Sequence, residues 1–417
     1  MPVQSSSTAS RLEEFEVHLK TERYSAQIQR RYFWIAQRFI DYLGRKCTAA
    51  EAAHGPDVED FLRWELRSWR RQHGRDPRNT VEWRGRYKTA SNVFLRFVHG
   101  HCPVVAAPST AIEVFHRDLV QGYDTWMREL RGLASVTRST RTTQALEFLT
   151  ELGPRGSQES LARLGVRDID AYLQQRCKGL RRQTIEGYTV CLRSFLRYLH
   201  GSGRTIVDLS GTVLGPRIYD DEQIPSALRP EEIQGVLEVT RQDCSLIGRR
   251  DYAFLMLLAA YGLRAGEIVA LRLEDIDWKK DILRVRHSKT GAYSELPLLC
   301  EPGEAVLSYL KKARPESQRR ELFLQVRAPY RAYKGGSILN CVIGVRLKMA
   351  GLTPRGRKGP HAFRHARAVS LLRAAVPLKI IGDVLGHRSA GSTAVYLKLA
   401  TEDLRAVGLN IPKEVLP

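Results

Sequence analysis

Three short blocks of this sequence occur twice, in the same order. RFIDYLG (38–44) is matched by LEFLTELG (146–153), DVEDFL (57–62) by RDIDAYL (167–173), and SNVFLRFVHG (91–100) by RSFLRYLHG (193–201). The offset falls from 109 residues at the first match to 101 at the last, so the second copy is the shorter. Any two amphipathic helices resemble each other a little. Three in order, both sets ending in Phe-Leu-Arg, an aromatic residue, one further residue and His-Gly, predict two related small helical domains in tandem.

The surrounding pattern sets their limits. Residues 1–10 are rich in Ser and Thr and are expected to be disordered. A helical pattern runs from Leu12 to Gly44, broken near Tyr24–Ser25, with Phe33, Ile35, Phe39, Ile40 and Leu43 on its apolar face. Val58–Trp69 and a helix ending at Gly100 follow. This gives a helical domain over 11–103 and a second over 113–205, joined through HCPVVAAPST. Residues 206–226 lack helical period, carry Gly, Pro and acidic residues, and read as a linker. From 227 the character changes. Pro230–Glu232 open a helix, and Asp251–Tyr261 is a strongly apolar one that stops at Gly262. The β-runs ILRVRH (282–287) and YSELPL (293–298) form a hairpin around SKTGA, with Gly291 at its tip and Lys289 in the turn. Helices near 302–313 and 337–350 and a basic loop at 352–360 complete a third domain over 227–417. The fold expected is mainly α with a small β-hairpin or sheet in the last domain.

Lys and Arg number 66 against 45 Asp and Glu, a net charge of +21. Such a balance favours a polyanionic partner, nucleic acid foremost, although solubility and anionic membrane surfaces also produce it. The arginines cluster. Arg63, Arg67, Arg70, Arg71, Arg75, Arg78, Arg84, Arg86 and Lys88 lie among Trp64, Trp69, Trp83 and Tyr87. Arg138, Arg141, Arg176, Lys178, Arg181 and Arg182 occupy the second copy. Such groups suit phosphate contacts, with Thr80 and Thr184 expected as helix caps beside them. The alternative is a solvated basic face. No apolar run of about 18 residues is present and the N-terminus lacks a signal-peptide core, so no membrane role is expected. Seven scattered cysteines, none in a CxxC, read as free thiols in a reducing cytoplasm, and no Cys/His cluster has zinc spacing.

Residues 361–396 concentrate His361, Arg364, His365, His387 and Tyr396 among apolar residues at helical steps. His361 and Arg364, three apart, share a helix face. Imidazoles, a guanidinium and a phenol held together suit chemistry on a phosphodiester. Taken singly, each histidine is equally a helix-cap or core residue, and Tyr396 competes with 15 other tyrosines, among them Tyr261, Tyr293, Tyr330 and Tyr333.

Taken together, GLRAGE (262–267), the hairpin lysine, HAFRH (361–365), LGH (385–387) and a tyrosine nine residues further on resemble the tyrosine recombinase (phage integrase, Xer, Cre-like) family. The resemblance covers about 228–405 specifically and 113–205 more loosely, where it resembles the helical, SAM-like core-binding domain. The first 100 residues look like an extra copy of that domain. By this resemblance Arg264 is the first arginine, Glu267 the acidic residue that follows it, and Lys289 the hairpin lysine. His361 and Arg364 are the HxxR pair, His387 fills the His/Trp position and Tyr396 is the nucleophile. His365 is expected to pack or support.

The resemblance implies a cytoplasmic, site-specific recombinase or integrase of a mobile element. It would cleave and rejoin double-stranded DNA through a covalent 3′-phosphotyrosyl link without ATP, metal or other cofactor. It would act as a homotetramer, or a hetero-tetramer with sibling recombinases, with the segment after Tyr396 docking in cis or in trans. The rival expectations are a type IB topoisomerase-like nicking-closing enzyme and an inactive DNA-binding accessory protein of recombinase descent.

Overall fold

Apolar residues at three- and four-residue steps form helices almost wherever the sequence predicts them. The computed structural model describes residues 3–100, 110–219, 227–287, 291–354, 356, 358–386 and 393. The chain divides into one unit of residues 1–16 and 30–222 and another of 17–29 and 223–417.

Up to residue 201, helices α1 (Val3–Thr21), α2 (Ala26–Arg45), α3 (Gly55–His73) and α4 (Thr80–His99) precede α5 (Ala111–Glu129), α6 (Ser135–Leu152), the short α7 (Gln158–Leu161), α8 (Val166–Arg176) and α9 (Arg182–Gly201), the end of α1 and the start of α2 belonging to the second unit. The repeat is visible in the packing. Phe39 meets Phe61 at 5.1 Å and Phe94 edge-on at 6.4 Å. At the matching positions Phe148 meets Tyr172 at 4.9 Å and Phe195 edge-on at 6.3 Å. The likeness extends to a fourth helix that the sequence blocks do not include, for Phe15 abuts Phe94 at 5.2 Å and Tyr123 abuts Phe195 at 5.1 Å. Edge-on aromatic contacts of this kind add to their area burial and fix ring orientation. The entry turns repeat as well. The His54 N–H donates to Asp57 at 2.9 Å, and the Gly165 N–H to Asp168 at 3.1 Å. Where the copies differ, they differ in pairs. Tyr123 replaces the phenyl ring of Phe15 and donates to Ser194 Oγ at 2.8 Å, a position held by Val93 in the first copy.

Some local expectations change. α1 begins at Val3, inside the stretch expected to be disordered. Ser and Thr are middling helix formers, and Phe15, fully buried, supplies a face that extends the helix backwards. Asn79, not Thr80, caps α4, its side chain accepting from the Glu82 N–H at 3.0 Å. Thr184 caps nothing, because α9 starts at Arg182 with Arg181 as its N-cap residue. Within the stretch read as a linker, Leu209 and Val213 are buried in the core of the second helical copy, and Arg193 holds the Val213 carbonyl at 3.1 Å.

The second unit is built around α11 (Leu246–Tyr261), which follows α10 (Pro230–Gln242) and precedes α12 (Ala265–Ala270). β1 (Ile276–Asp277), β2 (Ile282–Arg286) and β3 (Tyr293–Pro297) form an antiparallel sheet in the order β1-β2-β3, with Ile282 opposite Pro297 and Arg286 opposite Tyr293. β1 adds a third strand beside the predicted hairpin, its two residues too few for a periodic signal. Then come α13 (Cys300–Lys312), α14 (Ser337–Met349), α15 (Pro360–Arg373) and α16 (Leu378–Leu385). Phe254, Leu258, Val306, Phe323, Ile343 and Phe363 are among the fully buried residues of the core between them. A buried ion network pins α11 to α14. Arg346 grips Asp251 at 2.7 Å and Asp243 at 2.7 Å, and Arg250 takes the other Asp251 oxygen at 2.6 Å. Buried charges of this kind persist only when paired on all sides. No described helix is long and apolar enough to cross a membrane, and the six described cysteines are free thiols.

Candidate active site

α11 ends because Gly262 takes a left-handed conformation (φ 65°), in which its N–H still reaches the Leu258 carbonyl. That turn does two further jobs. Its carbonyl accepts from Arg364 Nη1 at 2.8 Å, and it delivers Arg264 to the N-cap of α12. There Glu267, three residues into α12 and 1% exposed, binds Arg264 twice. Its Oε2 accepts the Arg264 amide at 2.8 Å and its Oε1 accepts Arg264 Nη1 at 2.7 Å.

α16 supplies the remaining anchors. It closes on Gly386, also left-handed (φ 62°). The Leu385 carbonyl accepts from Arg364 Nη2 and the adjacent Gly386 carbonyl accepts from Arg264 Nη2 at 3.2 Å. Two guanidiniums therefore converge on the C-terminal end of one helix, where the exposed carbonyls favour cations. Arg364 is 3% exposed, and two of the five N–H groups of Arg264 are used in these bonds. Fixed in this way, the arginines offer directed donors to an anion and need little reorganisation to bind one.

His287 is a member of the site that the sequence reading missed. It follows β2, is 1% exposed, and has Nδ1 3.0 Å from Glu267 Oε1 and Nε2 2.8 Å from Ser294 Oγ. The signal was the alternation Leu283, Val285, His287, which puts every second residue on the buried face. Burial pushes the Glu267 carboxyl up. Hydrogen bonds from His287, from the Arg264 amide and from the Arg264 guanidinium outweigh that and hold it below the ordinary carboxylate range.

Of the residues expected at the site, Arg264, Glu267 and Arg364 thus come together. His361 sits exposed in the first turn of α15, one turn before Arg364, with its ring 6.2 Å from that of His365. Lys289, His387 and Tyr396 lie outside the described residues. In the chain, Lys289 falls between His287 and Gly291, and His387 directly follows Gly386. Two rival tyrosines are spoken for. Tyr261 donates to the Pro297 carbonyl at 3.0 Å and accepts from the Leu299 amide at 2.8 Å, and Tyr333 accepts from Arg250 at 2.8 Å. Burial pushes both phenols up, away from the phenolate.

The basic residues of the first unit lie mostly at the surface. Arg63, Arg67, Arg70 and Arg71 are exposed and spaced to share one face of α3. Arg63 pairs with Asp60 and Arg70 with Asp76, Arg84 and Lys88 share Glu59, and Arg86 meets Glu82 at 3.2 Å. Exposed pairs of this kind contribute little to stability. Arg181 and Thr184 are exposed at the start of α9, and Arg182 donates to the Arg217 carbonyl. Arg138 and Arg141 are half-buried. The first holds Asp124 at 2.9 Å and the second Ser194 at 3.0 Å. Trp83 and Tyr87, expected among surface arginines, are buried against each other at 4.3 Å.

Comparison with known proteins identifies the family and the fold. The family model described as phage integrase family matches residues 226–403. An integrase/recombinase of Sinorhizobium fredii (strain NBRC 101917 / NGR234), y4gC, is 56% identical over 189 residues, 45% of this chain and 97% of its own length. A second from the same organism, y4rA, is 36% identical over 71% of each chain. In fold, a crystal structure of a lambda integrase dimer bound to a COC′ core site superposes with a TM-score of 0.52 at 16% identity, covering 67% of this chain and 94% of that one. With both the sequence of its second unit and its fold matched, the chain belongs to the phage integrase family, the tyrosine recombinases.

Proposed function

We propose that this recombinase cleaves and rejoins double-stranded DNA at specific sites through a covalent 3′-phosphotyrosyl intermediate formed by Tyr396. The observation that carries the reading is the convergence of Arg264 and Arg364 on the C-terminal end of α16, with Glu267 locking the first of them. Attack on a phosphodiester builds negative charge on the non-bridging oxygens, and two planar guanidiniums can clamp both. The Tyr396 oxygen forms a bond to phosphorus as the bond to the 5′-oxygen breaks. His361 or His387 takes the phenol proton, and Lys289 protonates the departing 5′-oxygen. The bond energy is kept in the phosphotyrosine, so the reverse attack by a 5′-hydroxyl religates the strand without ATP.

The helical copies at 11–103 and 113–205 would hold DNA for the catalytic domain at 227–417, with the exposed arginines of α3 and α4 on the phosphates. Solved relatives bound to DNA, such as the lambda integrase dimer on its core site, support DNA as the substrate, and a transposon integrase bound to circular intermediate DNA among the structural neighbours fits a mobile-element origin. Assembly as a tetramer on paired sites, in the cytoplasm, completes the proposal.

The test begins by enriching a duplex from a random-sequence pool with the purified chain. A nick near the enriched site then lets the cleaved strand diffuse away and traps the intermediate. We expect a protein–DNA adduct that Tyr396→Phe abolishes. An adduct that survives this substitution, or none from the parent chain, refutes the mechanism. Relaxation of supercoiled plasmid without exchange between two sites would instead identify a topoisomerase.

A further inference from the structure

We propose that His287 is a positioning residue for Arg264, joining the Glu267 carboxylate to the Gly386 turn that together hold its guanidinium. The proposal rests on the strand-transfer reading above and adds a member to its machinery.

His287 continues the inward face of β2. Leu283 and Val285 before it are fully buried in the apolar core, and a third apolar side chain would satisfy packing equally well. An imidazole buried there is costly unless both ring nitrogens find partners. They do, and the partners belong to the site. Glu267 Oε1 can only accept, so it takes the Nδ1–H. In the neutral ring Nε2 is then the acceptor, and the Ser294 hydroxyl donates to it across the β2–β3 pair. The carboxylate oxygen held in this way is the one that receives Arg264 Nη1.

The ring also faces the second anchor of Arg264. A Cβ on Gly386 would lie 2.4 Å from His287 Cε1, so the Gly386 turn rests directly on the imidazole, and the carbonyl of that turn accepts from Arg264 Nη2. His387 is the next residue. Through its backbone, His287 closes the hairpin. Its N–H donates to the Ala292 carbonyl at 2.8 Å and its own carbonyl accepts from the Gly291 amide at 2.7 Å. Lys289 lies two residues further along the chain. One residue therefore meets both the carboxylate and the turn that aim Arg264, while its backbone closes the end of β2. Misplacing a group that must meet the phosphate by about 1 Å costs on the order of 100-fold in rate.

The test uses the full chain on the nicked duplex enriched from the random pool, with rates taken well below each variant's Tm. His287→Phe, which fills the space but cannot donate to Glu267, should lower the adduct-forming rate about 100-fold while leaving DNA affinity within about twofold. His287→Asn places an amide N–H near the Nδ1 position and should recover at least about tenfold of that loss. Ser294→Ala, which leaves the ring but frees its tautomer, should cost about fivefold. A purely packing role predicts the reverse ranking, with Phe better than Asn. If His287→Phe cleaves at the parent rate, or Asn is no better than Phe, the inference is overturned while the mechanism stands. If the parent chain itself gives no Tyr396-dependent adduct, the mechanism falls and the inference with it.

Discussion

Replacing Glu267 by Gln removes one charge and exchanges one acceptor for a donor at the most buried point of the site. The wild-type carboxylate receives the Arg264 amide at 2.8 Å on one oxygen, and Arg264 Nη1 at 2.7 Å and His287 Nδ1 at 3.0 Å on the other. Gln keeps the doubly used acceptor only by turning its NH2 toward the Arg264 amide, donor against donor. Leaving a buried donor unmet costs about 1–3 kcal/mol. Stripping a buried guanidinium of its counter-charge costs about 3–5 kcal/mol when burial is complete. The Arg264 side chain keeps 16% of its surface, so the lower part of that range applies, and the two effects overlap. The expected loss is about 3 kcal/mol at pH 7. The sign of its pH dependence follows from Glu267 being held below its unfolded pKa. The contribution is complete above the unfolded value, about 4.3, and is lost as pH falls through the folded one, because the protonated acid is nearly as poor a partner as the amide. Urea denaturation of both proteins between pH 7 and about pH 3, read by hydrogen exchange on peptides spanning 246–287, measures the gap. Other carboxylates titrate in both proteins and cancel. A gap below about 1 kcal/mol at pH 7, or one that does not narrow in acid, would show that Glu267 does not hold Arg264 as described.

Arg364→Lys should lower the adduct-forming rate by about 100- to 1,000-fold with DNA affinity little changed, since an ammonium cannot span the Gly262 and Leu385 carbonyls and still present a planar face to phosphate. Phe39→Ala and Phe148→Ala, at matching positions of the two helical copies, should each cost about 3–5 kcal/mol by thermal denaturation. Equal costs are the mark of a repeated core. Arg67→Ala with Arg71→Ala should weaken DNA binding across all sequences and lower the salt slope of the affinity by about 2, one unit per lost phosphate contact. An unchanged slope would place DNA elsewhere than on this face of α3.

The helical repeat was legible because it resides in side chains: Phe39 and Phe148, Phe94 and Phe195 are apolar at the same steps and become buried in the same geometry. Residues whose fate depends on sparse or polar signals were harder to read. Leu209 and Val213 lie among Ile206, Val207 and Leu214, which are exposed, so no period separates the buried from the exposed, and only the core they enter reveals them. Asn79 and Thr80 are both good caps, and the hydrogen bond to Glu82 decides between them. Arg264, Glu267 and Arg364 could be named from their motifs, but the way they are held could not. Arg364 reaches a carbonyl 102 residues away and Arg264 one 122 residues away, and every residue has a carbonyl, so no pattern of side chains records which will be used. His287 was hidden for a related reason. A polar residue at the end of a strand reads as the edge of a hairpin, and only the Glu267 carboxylate, on α12, makes it part of the interior. The two left-handed glycines follow the same logic. Gly262 and Gly386 look like helix stops, and they are, but the carbonyls of those stops are also where the arginines bind. The local instruction that ends a helix therefore also anchors the pair of arginines. For that reason a residue larger than Gly at 386, where a Cβ would strike the His287 ring, should disturb Arg264 before it disturbs the helix.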